Sequence, residues 1–142
     1  MSTRIFVDAN VLFSAAYTEG SRVVLLFDLA RASGAIVCAS PFVIEEARRN
    51  LLLKRPDALG RLEALVEGVR VVPDRMALAS GSSHGLPSKD VAVLAAAVAA
   101  GATMLVTGDR AHFGRLYGRV VEGLRVATVA DALRFLMELG GS

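Results

Sequence analysis

Short apolar runs of strand character alternate along the chain with stretches whose apolar residues recur at helical spacing. The runs at residues 4–7, 35–39, 69–72, 103–106 and 125–128 predict five strands. Asn10 stands where a helix N-cap would, ahead of Val11-Leu12-Phe13. Residues 22–32 carry Val23, Val24, Phe27 and Ala30 or Arg31 at helical spacing, with Gly34 as the glycine beyond the helix end. Ser40-Pro41 predicts the start of a helix reaching Leu53, and Pro56 closes it. Residues 57–67 form a further helix with Leu59, Leu62, Leu65 and Val66 as its stripe, residues 74–79 a short one, and Ser88 caps a helix over 89–100 that Gly101 ends. Residues 110–117 and 129–139 complete the set, and residues 80–87 read as a mobile loop.

Strands alternating with helices imply right-handed crossovers and a parallel sheet covered on both faces. The expected architecture is a three-layer α/β/α fold with a central parallel sheet of about four to five strands. The 142 residues contain no repeat and no dividing linker, so one domain over 1–142 is expected.

Composition changes this picture little. A hydrophobic content of 54% without low-complexity tracts predicts an ordered globular chain. The lone Cys38 lies in the apolar run Ala35-Ile36-Val37-Cys38, reads as a buried structural thiol, and fits a reducing, cytoplasmic compartment. Only three apolar residues follow Arg4 before Asp8, which does not make a signal peptide. The stretch from Val91 to Val106 carries no charge, but it falls short of the roughly 20 residues that span a bilayer, and Gly101 divides it. A buried helix and a buried strand explain it, and no membrane association is expected.

The acids carry the candidate chemistry. Asp8 and Asp109 each follow a short apolar strand, so a parallel sheet delivers both to the carboxyl edge where ligands collect. A single Asp after a strand is ordinary turn chemistry; two at equivalent places predict a site. Asp90 lies in a first helical turn, where the dipole favours an acid, yet every residue from Val91 to Ala100 is apolar and would carry it towards the interior. Glu45 and Glu46 flank the stripe Val43, Ile44, Ala47 and Leu51, and helical geometry does not choose between them; one must be a solvated residue beside Arg48 and Arg49.

Carboxylates converging on one spot need a cation, and hard divalent ions take oxygen ligands. Magnesium or manganese there would activate water and neutralise charge on a phosphodiester. No Cys/His cluster suggests zinc, His84 and His112 stand alone as solvated or capping residues, and the glycine-rich nucleotide-binding signatures are absent. If four of the 14 acids are neutralised by metal, ten remain against 16 bases, and all of those but Lys54 and Lys89 are arginine. That balance suits a polyanion. Arg48, Arg49 and Arg110 flank the candidate ligands, and there is little aromatic interleaving for base stacking.

Val7-Asp8-Ala9-Asn10-Val11-Leu12, Ser40-Pro41-x-x-x-Glu45-Glu46, Lys89-Asp90 before an alanine-rich helix, and Thr107-Gly108-Asp109-x-x-x-Phe113 resemble, in order, the motifs of PIN-domain nucleases. The resemblance implies a PIN-like fold and a Mg²⁺- or Mn²⁺-dependent endoribonuclease with Asp8, Glu46, Asp90 and Asp109 as its acidic residues. Glu46 is preferred to Glu45 by its distance from Ser40. Asn10 and Thr107 match the polar residues that orient the acids, with the plain N-cap reading of Asn10 still open. The resemblance further implies a VapC-type toxin, held by a cognate antitoxin and commonly a homodimer.

Two other readings compete with this one. A metal-dependent phosphatase of the haloacid-dehalogenase type also begins with a strand-end Asp, but it uses a second Asp where this chain has Asn10. A nucleic-acid-binding or protein-interaction module of the same fold would bind without turnover and without metal.

Overall fold

Strand β1 (Arg4–Val7) occupies the middle of the sheet, and both ends of the chain's strand path diverge from it. In the computed structural model, which describes residues 2–140, a six-stranded sheet has the order β3-β2-β1-β4-β6-β5. Its other strands are β2 (Ile36–Ala39), β3 (Arg70–Val71), β4 (Met104–Val106), β5 (Val120–Val121) and β6 (Leu124–Ala127). All pairings are parallel except that of the edge strand β5 with β6.

The centre is held by burial. Ile5, Phe6 and Val7 are wholly inaccessible, as are Leu105 and Val106 beside them. Each such side chain is worth about 1.5–3 kcal/mol of transfer free energy. Val7 pairs with Val106, and the Asp8 amide still donates to the Val106 carbonyl at 3.0 Å, so the ladder carries the chain one residue past β1.

The helices are α1 (Ala9–Tyr17), α2 (Arg22–Ser33), α3 (Pro41–Lys54), α4 (Leu59–Glu67), α5 (Ser88–Ala99), α6 (Arg110–Phe113) and α7 (Val129–Gly140). From β1 the chain steps through β2 to β3 on one side; α5 then returns it to β4 on the other. Right-handed crossovers therefore place helices on both faces, giving an α/β/α three-layer fold. α1 packs on α3 and α4, and α2 packs on α7. The reversal of strand order between β1 and β4 is the switch point where open α/β sheets form their clefts.

Several expectations require correction. The sheet has six strands, two of them only two residues long, and β5 makes it mixed. Asp8, not Asn10, is the N-cap of α1, because the strand hands over to the helix with no intervening turn. Ser88 lies inside α5, whose N-cap is Pro87, and the Ser40 hydroxyl makes no capping bond although Ser40 holds the cap position of α3. Residues 74–79 form no helix: the Asp74 carboxylate instead accepts from the Phe42 amide at 3.1 Å, satisfying the exposed first turn of α3. The helix expected at 110–117 stops at Phe113 and continues as a 3₁₀ turn. Within residues 80–87, Ser80 Oγ donates to Glu122 Oε2 at 3.1 Å and His84 Nε2 lies 2.8 Å from the same oxygen, tying the loop to the β5–β6 turn.

Candidate functional site

Asp8 ends the central strand and starts α1, and its carboxylate is almost completely satisfied. Oδ1 accepts from the Ala9 amide at 2.8 Å, while Oδ2 accepts from the Thr107 hydroxyl at 2.8 Å and from Asn10 Nδ2 at 3.3 Å. A carboxylate has about four acceptor positions, so about one is left for a further partner. Asn10, in the first turn of α1, bridges the two central strand ends. Its Nδ2 also reaches Thr107 Oγ1 at 3.3 Å, and its Oδ1 accepts from the Gly108 amide at 2.6 Å. A β-carbon at Gly108 would stand 3.2 Å from that Oδ1, which explains why a glycine serves there.

Asp109 caps α6, its Oδ1 accepting from the His112 amide at 3.2 Å. Its Oδ2 lies 2.8 Å from His112 Nδ1, and Asp90 Oδ2 lies 3.0 Å from the same nitrogen. Asp90 enters from the first turn of α5, whose residues Val91, Val93, Leu94 and Ala95 are buried, and the residue is itself only 5% exposed. The two glutamates part company. The Glu46 side chain, 18% exposed, is paired with the Lys89 ammonium, whereas Glu45, 57% exposed, is bonded to Arg48 at 2.7 Å.

Asp8, Asn10, Glu46, Asp90 and Asp109 share one cleft of about 340 Å³, with Lys54 and Lys89 also in its lining. A larger cavity of about 590 Å³ lies elsewhere, between α2, α4 and the start of β2; its carboxylates, Glu19, Asp28 and Glu67, are all exposed. Burial of titratable groups thus favours the smaller cleft as the site of chemistry.

Burial pushes the Asp8 carboxyl above the usual carboxylate range; its bonds from Thr107 and Ala9 oppose this, and the charges of Asp90 and Glu46 add to it. Asp90 is likewise raised by burial, with His112 lowering it and Asp109 raising it. Two buried acids that resist ionisation, beside two more, form a donor set that a divalent cation fits. The ligand atoms of Asp90, Asp109 and His112 all lie within 4.8 Å of one another, a candidate three-residue metal-coordinating group. Reading His112 as a lone solvated or capping residue missed this. The available signal was its position three residues beyond Asp109 at a helix start, where i and i+3 side chains meet.

The arginines divide by partner. Arg48, expected to meet a substrate, is instead forked onto Glu63 at 2.9 Å and held by Glu45, so its donors are engaged on the outer surface. Arg49 is exposed and has no ion pair among the described residues. Arg110 is exposed beside Asp109, with its guanidinium 6.0 Å from the centre of the Tyr117 ring. The Tyr117 hydroxyl donates to the Thr107 carbonyl at 2.8 Å, a further bond at the strand end.

A PIN-domain family model matches residues 4–111, and the chain belongs to the PIN-domain family. Among solved structures it is similar to PAE2754 from Pyrobaculum aerophilum, at 21% identity over 97% of this chain and 99% of that one, with a TM-score of 0.65. It is also similar to a chain of VapBC2 from Rickettsia felis, whose structure was solved bound to a DNA fragment from the promoter; identity there is 14% over 89% of this chain and 98% of that one, with a TM-score of 0.66. At these identities the likeness is one of fold. No match was found among curated protein sequences.

Proposed function

We propose that this protein is a metal-dependent endoribonuclease that hydrolyses RNA phosphodiester bonds. The observation that carries the reading is the convergence of Asp8, Glu46, Asp90 and Asp109 on one cleft at the β1/β4 switch point, two of them buried. Those four acids would hold Mg²⁺ or Mn²⁺, which supplies charge neutralisation on the phosphodiester and a lowered pKa for an attacking water. The remaining residues have identifiable tasks. Asn10 and Thr107 orient Asp8, and Asn10 also fixes the Gly108 amide, so the strand ends cannot drift apart. Lys54 in the cleft, with Arg49 and Arg110, would bind the RNA backbone through contacts that weaken with salt.

The family and the likeness to a VapBC protein support a role as the toxin of a toxin–antitoxin pair, restrained by a small protein partner, and with that role we infer a cytoplasmic homodimer. Among the described residues no helix is long and apolar enough to cross a membrane. The test is cleavage of RNA with Mg²⁺ or Mn²⁺ by wild type, Asp8→Asn and Asp109→Asn. Metal-dependent cleavage lost in both variants is expected; cleavage retained in both overturns the assignment.

A further inference from the structure

We propose that His112 supplies a nitrogen ligand to the metal of this site, and that the site therefore prefers a first-row transition ion to Mg²⁺. The inference rests on the reading that the cleft binds a divalent cation.

The imidazole has one nitrogen, Nδ1, directed at two acids at once: 2.8 Å from Asp109 Oδ2 and 3.0 Å from Asp90 Oδ2. A ring nitrogen carries at most one proton, so it satisfies only one of these oxygens as a hydrogen-bond donor at any moment. Both separations are also those of adjacent ligands on an octahedral ion, since two metal–ligand bonds of about 2.1 Å at right angles put their ends about 3 Å apart.

The local backbone holds the ring in this place. The His112 amide donates to Asp109 Oδ1 in the first turn of α6, which leaves Asp109 Oδ2 facing the imidazole. The neighbouring acids are more heavily engaged: Asp8 accepts three hydrogen bonds, and Glu46 is paired with Lys89. Among the described residues, Asp90, Asp109 and His112 are the one group of three potential ligands whose atoms come so close.

Ligand chemistry sets the consequence. Mg²⁺ takes oxygen ligands and gives up water reluctantly, while imidazole is a good donor to transition ions, so an imidazole added to the carboxylates of this cleft makes a mixed set that discriminates between them.

The experiment is pulsed electron paramagnetic resonance on the full chain loaded with one equivalent of Mn²⁺, with Mn²⁺ and Mg²⁺ affinities measured by calorimetry on the same protein. A ¹⁴N modulation from a bound imidazole is expected in wild type and is absent in His112→Gln. The variant should bind Mn²⁺ about tenfold or more weakly while its Mg²⁺ affinity moves far less. Bound Mn²⁺ without nitrogen modulation in wild type would make His112 a counter-ion only and overturn the inference while leaving the metal site intact. An equal loss for both ions in His112→Gln would overturn the selectivity. Failure of wild type to bind either ion would remove the metal reading as well.

Discussion

The Thr107 hydroxyl donates to Asp8 Oδ2 at 2.8 Å, joining two residues 99 positions apart across the ends of adjacent strands. The same hydroxyl oxygen accepts from the Asp109 amide at 3.1 Å, so one wholly buried side chain sets the position of an acid on each strand end. Thr107→Val removes the donor and the acceptor while keeping the shape. The expected cost is about 1–3 kcal/mol in urea unfolding, because buried partners are left unsatisfied, and Thr107→Ser should recover most of it. A valine variant as stable as wild type would show that the bond is incidental.

Gly108→Ala tests the bridge made by Asn10. The added β-carbon would meet Asn10 Oδ1 at 3.2 Å, so the amide must give way by a few tenths of an ångström. Little change in unfolding midpoint is expected, with about tenfold or greater loss of RNA cleavage, since small misplacements of catalytic groups are costly. Unchanged cleavage would mean that the Asn10–Gly108 contact does not position the site.

The two glutamates give opposite forecasts. Glu45→Gln alters a salt bridge on the exposed side of α3 and should leave cleavage within about twofold and stability within about 1 kcal/mol of wild type. Glu46→Gln should reduce metal affinity by at least about tenfold and cleavage with it. Calorimetry with Mn²⁺ separates them, and a reversed pattern would move the site to the other face of the helix.

The pH dependence follows from Asp8 and Asp90, both raised above the usual carboxylate range chiefly by burial. The native state then holds protons that the unfolded chain has already released, so their contribution falls as pH rises through the folded values. Without metal, the contribution of these two groups to the unfolding temperature should fall as pH rises above the ordinary carboxylate range, and Asp8→Asn should flatten that slope. With Mn²⁺ in excess the trend from these groups should reverse, because the ion binds their ionised forms. A metal-free protein whose stability changes with pH equally in wild type and Asp8→Asn would contradict the burial argument.

Much of this was legible in the chain, for reasons that particular residues make plain. Ile5-Phe6-Val7 and Leu105-Val106 are buried strands bounded by acids, and topology alone brings such ends together. The apolar surroundings of Asp90 announced its burial. Strand β5, and with it the hairpin to β6, was not legible, since a two-residue strand has no readable period. Its turn places Glu122 at φ 52° and Gly123 at φ 88°, a left-handed pair for which Asn-Gly would have been the clearer sign. The sequence left Asn10 open between a cap and an amide that orients the acids, because its partners, Thr107 and Gly108, lie far away in sequence. Periodicity could not separate Glu45 from Glu46; the difference lies in Arg48 and Glu63 on one side and Lys89 on the other.

The central claim is that a cation held by the converging acids turns this cleft into a phosphodiesterase. It is tested most directly by the rate of RNA cleavage against Mn²⁺ concentration for wild type and Asp109→Asn. No cleavage is expected in chelator, with a saturable rise with Mn²⁺ in wild type and a curve for Asp109→Asn shifted to at least about tenfold higher Mn²⁺ or lost altogether. Cleavage that persists in chelator, or an Asp109→Asn curve that overlies wild type, would contradict it.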